Sequence, residues 1–308
     1  MTTTALSGFS CAIDRYDTEE EWLEGRRHLI GASDSAGILG VGYADQSQVT
    51  VWDSKINAPR SIDPARRRRF QIGKLMEPSL RAIFAEESGM PCESPGSFTI
   101  YRHEGIPWLG ASLDAITEHD EYGPCPVELK NVSNFAREEW DGDEPPLKFA
   151  VQVQHQLAVT GASHGFLLGL VGGNEPVIKA IERNDRFIDA MLARLEEFWG
   201  YVQRRELPPI DSSIATAHVL AKLWPEDSGA TVVLPPEAAD WDRDLTEAKE
   251  AIKTAEAKKV AAENLLKSAI GEATFGEIVG GCRYSWKTQS RKEHVVKEST
   301  FRVLRRCA

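Results

Sequence analysis

The sequence predicts an α/β fold: a mixed β-sheet flanked by helices, followed by a C-terminal helix and short β-hairpin extension. Three observations predict it. Short apolar runs between Ser97 and Lys130 read as strands, bounded by Gly, Pro and Asp. Phe149–Thr160 has helical apolar spacing, stops at Gly161, and leads into two more strand-like runs. From Trp241 the apolar residues follow a four-three, heptad-like spacing through Leu245, Ala248, Ile252 and Ala255.

In chain order, Tyr16–Arg27 reads as an amphipathic helix with Trp22 and Leu23 inward, and Ile30–Ala36 as a loop capping the next helix. The run Arg66–Arg69 suits a solvated face and a contact to duplex backbone equally. Gly73 and Glu77-Pro78 then open a helix with apolar Leu80, Ile83 and Phe84, ending near Gly89. Ser97–Tyr101, Trp108–Ala111, Ala115–Glu118 and Pro126–Lys130 are the strands, and Asp141–Pro146 is an acidic loop. After the Phe149–Thr160 helix, Gly165–Val171 and Pro176–Ile181 pair around Gly172-Gly173-Asn174. Asp185–Arg205 is a long amphipathic helix with Ile188, Met191, Leu195 and Phe198 on one stripe.

Pro208-Pro209 and Pro235-Pro236 bracket a weakly patterned stretch. The expected organisation is therefore a domain over 1–210, a linker over 211–240 and an extension over 241–308. The helix from Trp241 suits packing on the first domain or a contact between protomers. A free-standing coiled coil is disfavoured, because Lys259 interrupts the seam and alanines fill many positions. Glu277–Val279 and Cys282–Lys287 flank Gly280-Gly281 as short strands, with Phe301–Leu304 as a third.

With 308 residues and 42% hydrophobic content, the chain can bury a sizeable core. No window has the apolar length of a membrane span, and the start lacks the pattern of a signal peptide, so a cytoplasmic location is expected. The five cysteines are odd in number and scattered, which argues against a disulfide framework or a zinc site. The net charge of −11 is uneven: from Trp241 onward there are fourteen Lys/Arg and ten Asp/Glu, so residues 1–240 carry −15. An acidic total does not exclude DNA, since carboxylates that collect cations can coexist with local basic surfaces.

The chemistry concentrates in a few polar residues. Asp114 follows a strand, and fourteen residues later comes Glu128-Leu129-Lys130 between apolar neighbours. Strand alternation puts Glu128 and Lys130 on one face. A carboxylate and an ammonium on an otherwise apolar strand are costly unless something needs them. Glu77 precedes them at a helix start, and Gln152 follows on the next helix. Asp114, Glu128 and the main-chain carbonyl of Leu129 would serve Mg²⁺, which takes a few hard oxygen ligands and keeps several waters. Two such ions, Mg²⁺ or Mn²⁺, can stabilise both the attacking and the leaving oxygens of a phosphodiester. Lys130 would hold or help deprotonate the water and offset phosphate charge. Each residue also has a plain reading. Asp114 suits a turn, Glu128 and Lys130 a solvated strand face, Glu77 a helix dipole, and Gln152 a satisfied interior amide.

These motifs resemble the YqaJ-type viral recombinase family of lambda-exonuclease type, within the PD-(D/E)xK nucleases. The resemblance covers residues 14–205. It rests on Trp22-Leu23-Glu24-Gly25-Arg26, Ile30-Gly31-Ala32-Ser33-Asp34 and Ile38-Leu39-Gly40. It rests further on Gly73-x-x-x-Glu77-Pro78, Ser112-Leu113-Asp114, Glu128-Leu129-Lys130 and Gln152–Gly161. The resemblance implies a PD-(D/E)xK nuclease fold and a 5′→3′ exonuclease that resects linear duplex DNA to leave 3′ overhangs. It makes Asp114 and Glu128 metal ligands, Lys130 the catalytic lysine and Glu77 a support for the metal site. Gln152 matches the glutamine that steadies the lysine or the water. Arg26 and Ser33 match a 5′-phosphate pocket, with Arg27 a close competitor and Ser33 equally an N-cap. Double-stranded DNA ends and a single-strand annealing protein are the implied partners in a bacterial host cell. A homo-oligomer is implied too, family members forming a ring-shaped trimer. Rival readings are an endonuclease or RecB-like nuclease module, and a non-catalytic DNA-end binding protein.

Overall fold

In the computed structural model the chain forms two units, Met1–Leu223 and Trp224–Ala308, and the structure describes residues 8–57, 64–293, 298 and 300–306. The first unit begins with β1 (Cys11–Arg15), α1 (Glu19–Arg27), α2 (Ala32–Ile38), α3 (Gln48–Ile56) and α4 (Pro64–Ser88). Then come β2 (Cys92–Glu93), β3 (Thr99–His103), β4 (Gly110–Ala111), β5 (Ala115–His119) and β6 (Gly123–Val132). A 3-10 turn (Asn134–Glu139) leads to α5 (Leu147–Thr160), β7 (His164–Val171), β8 (Glu175–Glu182), α6 (Asp185–Arg204) and α7 (Ile214–Leu223).

The main sheet has five strands in the order β2-β5-β6-β7-β8. β6 and β7 run parallel, with Glu128 beside Leu167 and Lys130 beside Gly169, and the other pairs are antiparallel. A parallel pair needs a crossover, and α5 supplies it. Val127 and Leu129 pack with Leu80 and Phe84 of α4 and with Phe166 and Leu168 of β7. Period-two alternation therefore turns Glu128 and Lys130 to the opposite face, beneath α5. β5 pairs with β6 only as far as Ala115 opposite Val127, while β6 continues to Val132 beside β7. A smaller antiparallel sheet has the order β1-β3-β4.

α5 is buried from Val151 to Thr160 and stops at Gly161, whose φ of 74° is the left-handed conformation that suits glycine. The hairpin of β7 and β8 turns at Gly172 and Gly173, both with positive φ. Four features differ from the sequence reading. α1 is shorter, and Leu23 is exposed rather than inward, leaving Trp22 to face the protein. α3 was not expected, yet it buries Val49, Val51 and Trp52. Glu77 does not open a helix: α4 is one 25-residue helix running through Pro78. Met76, Leu80, Ile83 and Phe84 keep helical spacing across the proline and pack on the sheet. Finally, α7 lies in the stretch read as linker; it buries Ala215, Thr216 and Val219, and Thr216 Oγ1 donates to Ser47 Oγ at 2.9 Å.

The second unit holds α8 (Ala238–Ile270) and the antiparallel pair β9 (Phe275–Glu277) and β10 (Arg283–Ser285). β9 starts two residues before the expected first strand and overlaps it at Glu277, β10 falls within the expected Cys282–Lys287, and the turn includes Gly280 (φ 71°). Phe301–Leu304 forms no strand among the described residues. No described helix is long and apolar enough to cross a membrane.

Candidate active site

Asp114 stands just before β5, where that strand's pairing with β6 stops. Its Oδ2 accepts the backbone N–H of Leu129 at 3.0 Å. The amide and carbonyl of one strand residue share an edge, so the Leu129 carbonyl opens on the same side. Glu128 is only 5% exposed. Its Oε1 pairs with Lys130 Nζ, and its Oε2 accepts Gln156 Nε2 at 2.5 Å. The solvated-strand reading of Glu128 and Lys130 is therefore excluded: β6 is a central strand.

Burial, and after it the Glu128 carboxylate, push the Asp114 carboxyl up to about 7, against the pull of Lys130 and the Leu129 amide. Burial works against the charge of Lys130, but Glu128 and Asp114 outweigh it and raise the amine above its ordinary value. Lys130 Nζ also lies 5.4 Å from the Phe149 ring centroid. Glu77 projects from α4 with Arg81 Nη1 4.0 Å away. Burial raises the Glu77 carboxyl, Glu128 adds to the rise, and Arg81, Lys74 and Lys130 oppose it. Asp114, Glu128, Lys130 and Glu77 thus share one electrostatic field.

Gln152 is buried on α5, but the residue bonded to Glu128 is Gln156, four positions on. The i,i+4 spacing places both on one helix face, and that spacing was the available signal. Gln156 Oε1 is buried with no hydrogen-bond partner among the described residues. His155, beside it, has a structural role. Nε2 is 2.9 Å from Gly110 O, and since a carbonyl only accepts, Nε2 carries the proton. Nδ1 then accepts from the Ser35 hydroxyl at 2.7 Å. Burial brings the imidazole down to about 4, so it is neutral.

A second cluster gathers at the ends of α1 and α2. Arg26 Nη2 donates to Ser33 Oγ at 3.4 Å, and the guanidinium stacks 4.7 Å over the Trp22 ring. Trp22 Nε1 in turn donates to Ser112 Oγ at 3.1 Å, two residues from Asp114. Arg27, the competitor, is paired with Glu24 at 2.9 Å. Ser33 is not the N-cap of α2; that position is Gly31.

The acidic residues fit a hard divalent cation. Burial and the nearby Glu128 carboxylate together raise the Asp114 carboxyl, and a cation bound between the two would favour their charged forms. Among the described residues no group of three or more His, Cys, Asp or Glu could hold a metal unaided.

Residues 21–163 match the sequence model of the YqaJ-like viral recombinase domain. The chain is 28% identical over 274 residues to the uncharacterized protein YqaJ of Bacillus subtilis (strain 168), covering 88% of this chain and 83% of that one. The crystal structure of LHK-Exo in complex with dAMP matches with a TM-score of 0.50 at 20% identity, over 66% of this chain and 97% of the other. A second structure of that protein, an alkaline exonuclease from Laribacter hongkongensis, matches at 0.48 and 19%, over 66% and 97%. The first of these structural matches speaks to the fold, a mixed sheet flanked by helices. Residues 21–163 are similar to the YqaJ-like viral recombinase domain family.

Proposed function

We propose that the protein is a metal-dependent DNA nuclease, specifically a 5′→3′ exonuclease that resects linear duplex ends and leaves 3′ single-stranded overhangs. The observation that supports it best is the placing of Asp114, Glu128 and Lys130 at the point where β5 stops pairing. Asp114, Glu128 and the Leu129 carbonyl would hold two divalent cations, Mg²⁺ or Mn²⁺, with Glu77 supporting from α4. Bound there, the cations supply Lewis-acid charge for the attacking and leaving oxygens of the phosphodiester.

The remaining steps belong to side chains. As the raised amine holds its proton, Lys130 acts first as a cationic hydrogen-bond donor that orients water and offsets charge on the phosphate. Once its carboxylate neighbours are neutralised, the burial that opposes its charge dominates, and the amine can exchange a proton with that water. Gln156 holds Glu128 in place through Oε2. Gln152, one turn earlier on the same face, is assigned to steadying the lysine or the water. Arg26, with Ser33 and Ser112, would receive the 5′-phosphate, since a planar guanidinium grips phosphate in a fork. The overhang product suits hand-over to a single-strand annealing protein in phage-type recombination.

Blunt linear duplex labelled at the 5′ or the 3′ end, digested with and without chelator, tests this. Loss of the 5′ label first, abolished by chelator, is expected. Digestion from the 3′ end would overturn the polarity, and cutting of a covalently closed circle would make the enzyme an endonuclease. Full activity in Lys130→Ala and Asp114→Ala variants would overturn the mechanism.

A further inference from the structure

Arg26 lies in the last turn of α1, where helix carbonyls lack an intrahelical partner. Lys55 of α3 supplies one: its Nζ is 3.1 Å from the Arg26 carbonyl. The same ammonium donates to Asp34 Oδ2 at 2.7 Å. That oxygen also accepts the backbone N–H of Gly31 at 2.9 Å, closing the start of α2. The Lys55 and Asp34 side chains are 6% and 17% exposed. Burial alone would raise the Asp34 carboxyl. Lys55 first, then Arg26, together with the Lys55 and Gly31 hydrogen bonds, bring it below its ordinary value, which favours the Asp34 carboxylate. One buried ammonium thus joins the end of α1 to the start of α2, the two elements that carry Arg26 and Ser33.

Asp34 feels two cations, Lys55 and Arg26. Lys55 makes the bond, and the Arg26 guanidinium rests on Ser33 and Trp22 instead. Without Lys55, a carboxylate at this place would draw Arg26 into a fork of its own. We propose that Lys55 and Asp34 are positioning residues for recognition of a terminal phosphate. Lys55 keeps Asp34 occupied, fixes α1 against α2, and leaves the charge of Arg26 for the DNA end. This inference rests on the assignment of Arg26 and Ser33 to the 5′-phosphate pocket.

The test measures kcat and KM separately on linear duplexes with 5′-phosphate and 5′-hydroxyl ends, using the full chain. Lys55→Met is expected to lower the preference for phosphorylated ends roughly tenfold, mainly through KM, the scale of one lost charge-assisted contact. Lys55→Arg should retain most of the preference. The double variant Lys55→Met/Asp34→Asn should regain part of it, because no carboxylate is left to capture Arg26. An unchanged preference in Lys55→Met, an equal loss on both kinds of end, or no recovery in the double variant would each overturn the proposal. Arg26→Gln separates the two levels. If Arg26→Gln leaves the preference intact, the phosphate pocket itself is wrongly placed. If Arg26→Gln abolishes it and Lys55→Met does not, only the positioning role fails.

Discussion

Gln156 Nε2 donates to Glu128 Oε2 at 2.5 Å, so one amide on the crossover helix fixes a carboxylate on the central strand. Partners that orient a metal-binding carboxylate typically matter by 10–100-fold. Gln156→Ala should therefore slow DNA degradation by about 10–100-fold while the fold persists. Single-turnover rates under saturating Mg²⁺ check this, and a rate within twofold of the parent would show that Glu128 needs no such support.

Asp114 binds its proton more tightly folded than unfolded, since its carboxyl rises from 3.8 to about 7. Its contribution to stability is therefore fully present below pH 3.8 and is lost as pH rises through about 7. Metal-free protein should lose stability from this group between pH 4 and pH 7, and added Mg²⁺ should restore it. Thermal melts of parent and Asp114→Asn against pH read the effect as a difference. A difference that does not change with pH would contradict the assigned repulsion.

His155 behaves in the opposite sense, because its imidazole is lowered from 6.5 to about 4. Its contribution is present above 6.5 and is lost as pH falls toward 4, on the order of 3 kcal/mol over that window. Since Asp114 and His155 pull in opposite directions between pH 4 and 6.5, the parent curve alone reveals neither. Urea titrations of His155→Gln against the parent isolate the histidine, and parallel pH profiles would refute the account.

Gly169, beside Lys130 across the β6–β7 pairing, lies under Trp140. A Cβ there would meet Trp140 Cζ3 at 2.2 Å. Trp140 packs on Phe149 at 5.6 Å between centroids, and Phe149 lies under Lys130. Gly169→Ala should destabilise the domain by about 1–3 kcal/mol, the usual cost of overpacking, and lower activity through a displaced Lys130. Urea unfolding and nuclease rates measured together test the linkage between the two.

Much of the architecture was legible because its signals were local. Phe149–Thr160 carried helical spacing and a glycine stop, and Asp114 and Glu128-Leu129-Lys130 stood out as charge among apolar neighbours. The structure brings Asp114 to Leu129 and Lys130 to Glu128, and in a second cluster Arg26 to Ser33. Other features depend on tertiary context. α3 presents Val49 and Val51 in alternation, a strand-like pattern that packing overrides. Pro78 suggests a helix start, yet apolar contacts carry α4 straight through it. The bond from Gln156 to Glu128 spans 28 positions of sequence, which no local pattern reveals. Lys55 and Asp34 meet across 21 positions of sequence, a distance at which no local pattern points to a pair.

β5 falls silent at Ala115, and the hairpin partner of Leu129 is an aspartate side chain instead of another strand. The working edge is thus an unfinished ladder. Two more residues of antiparallel pairing would cover the Leu129 peptide and leave this nuclease candidate with a perfectly zipped, chemically inert sheet.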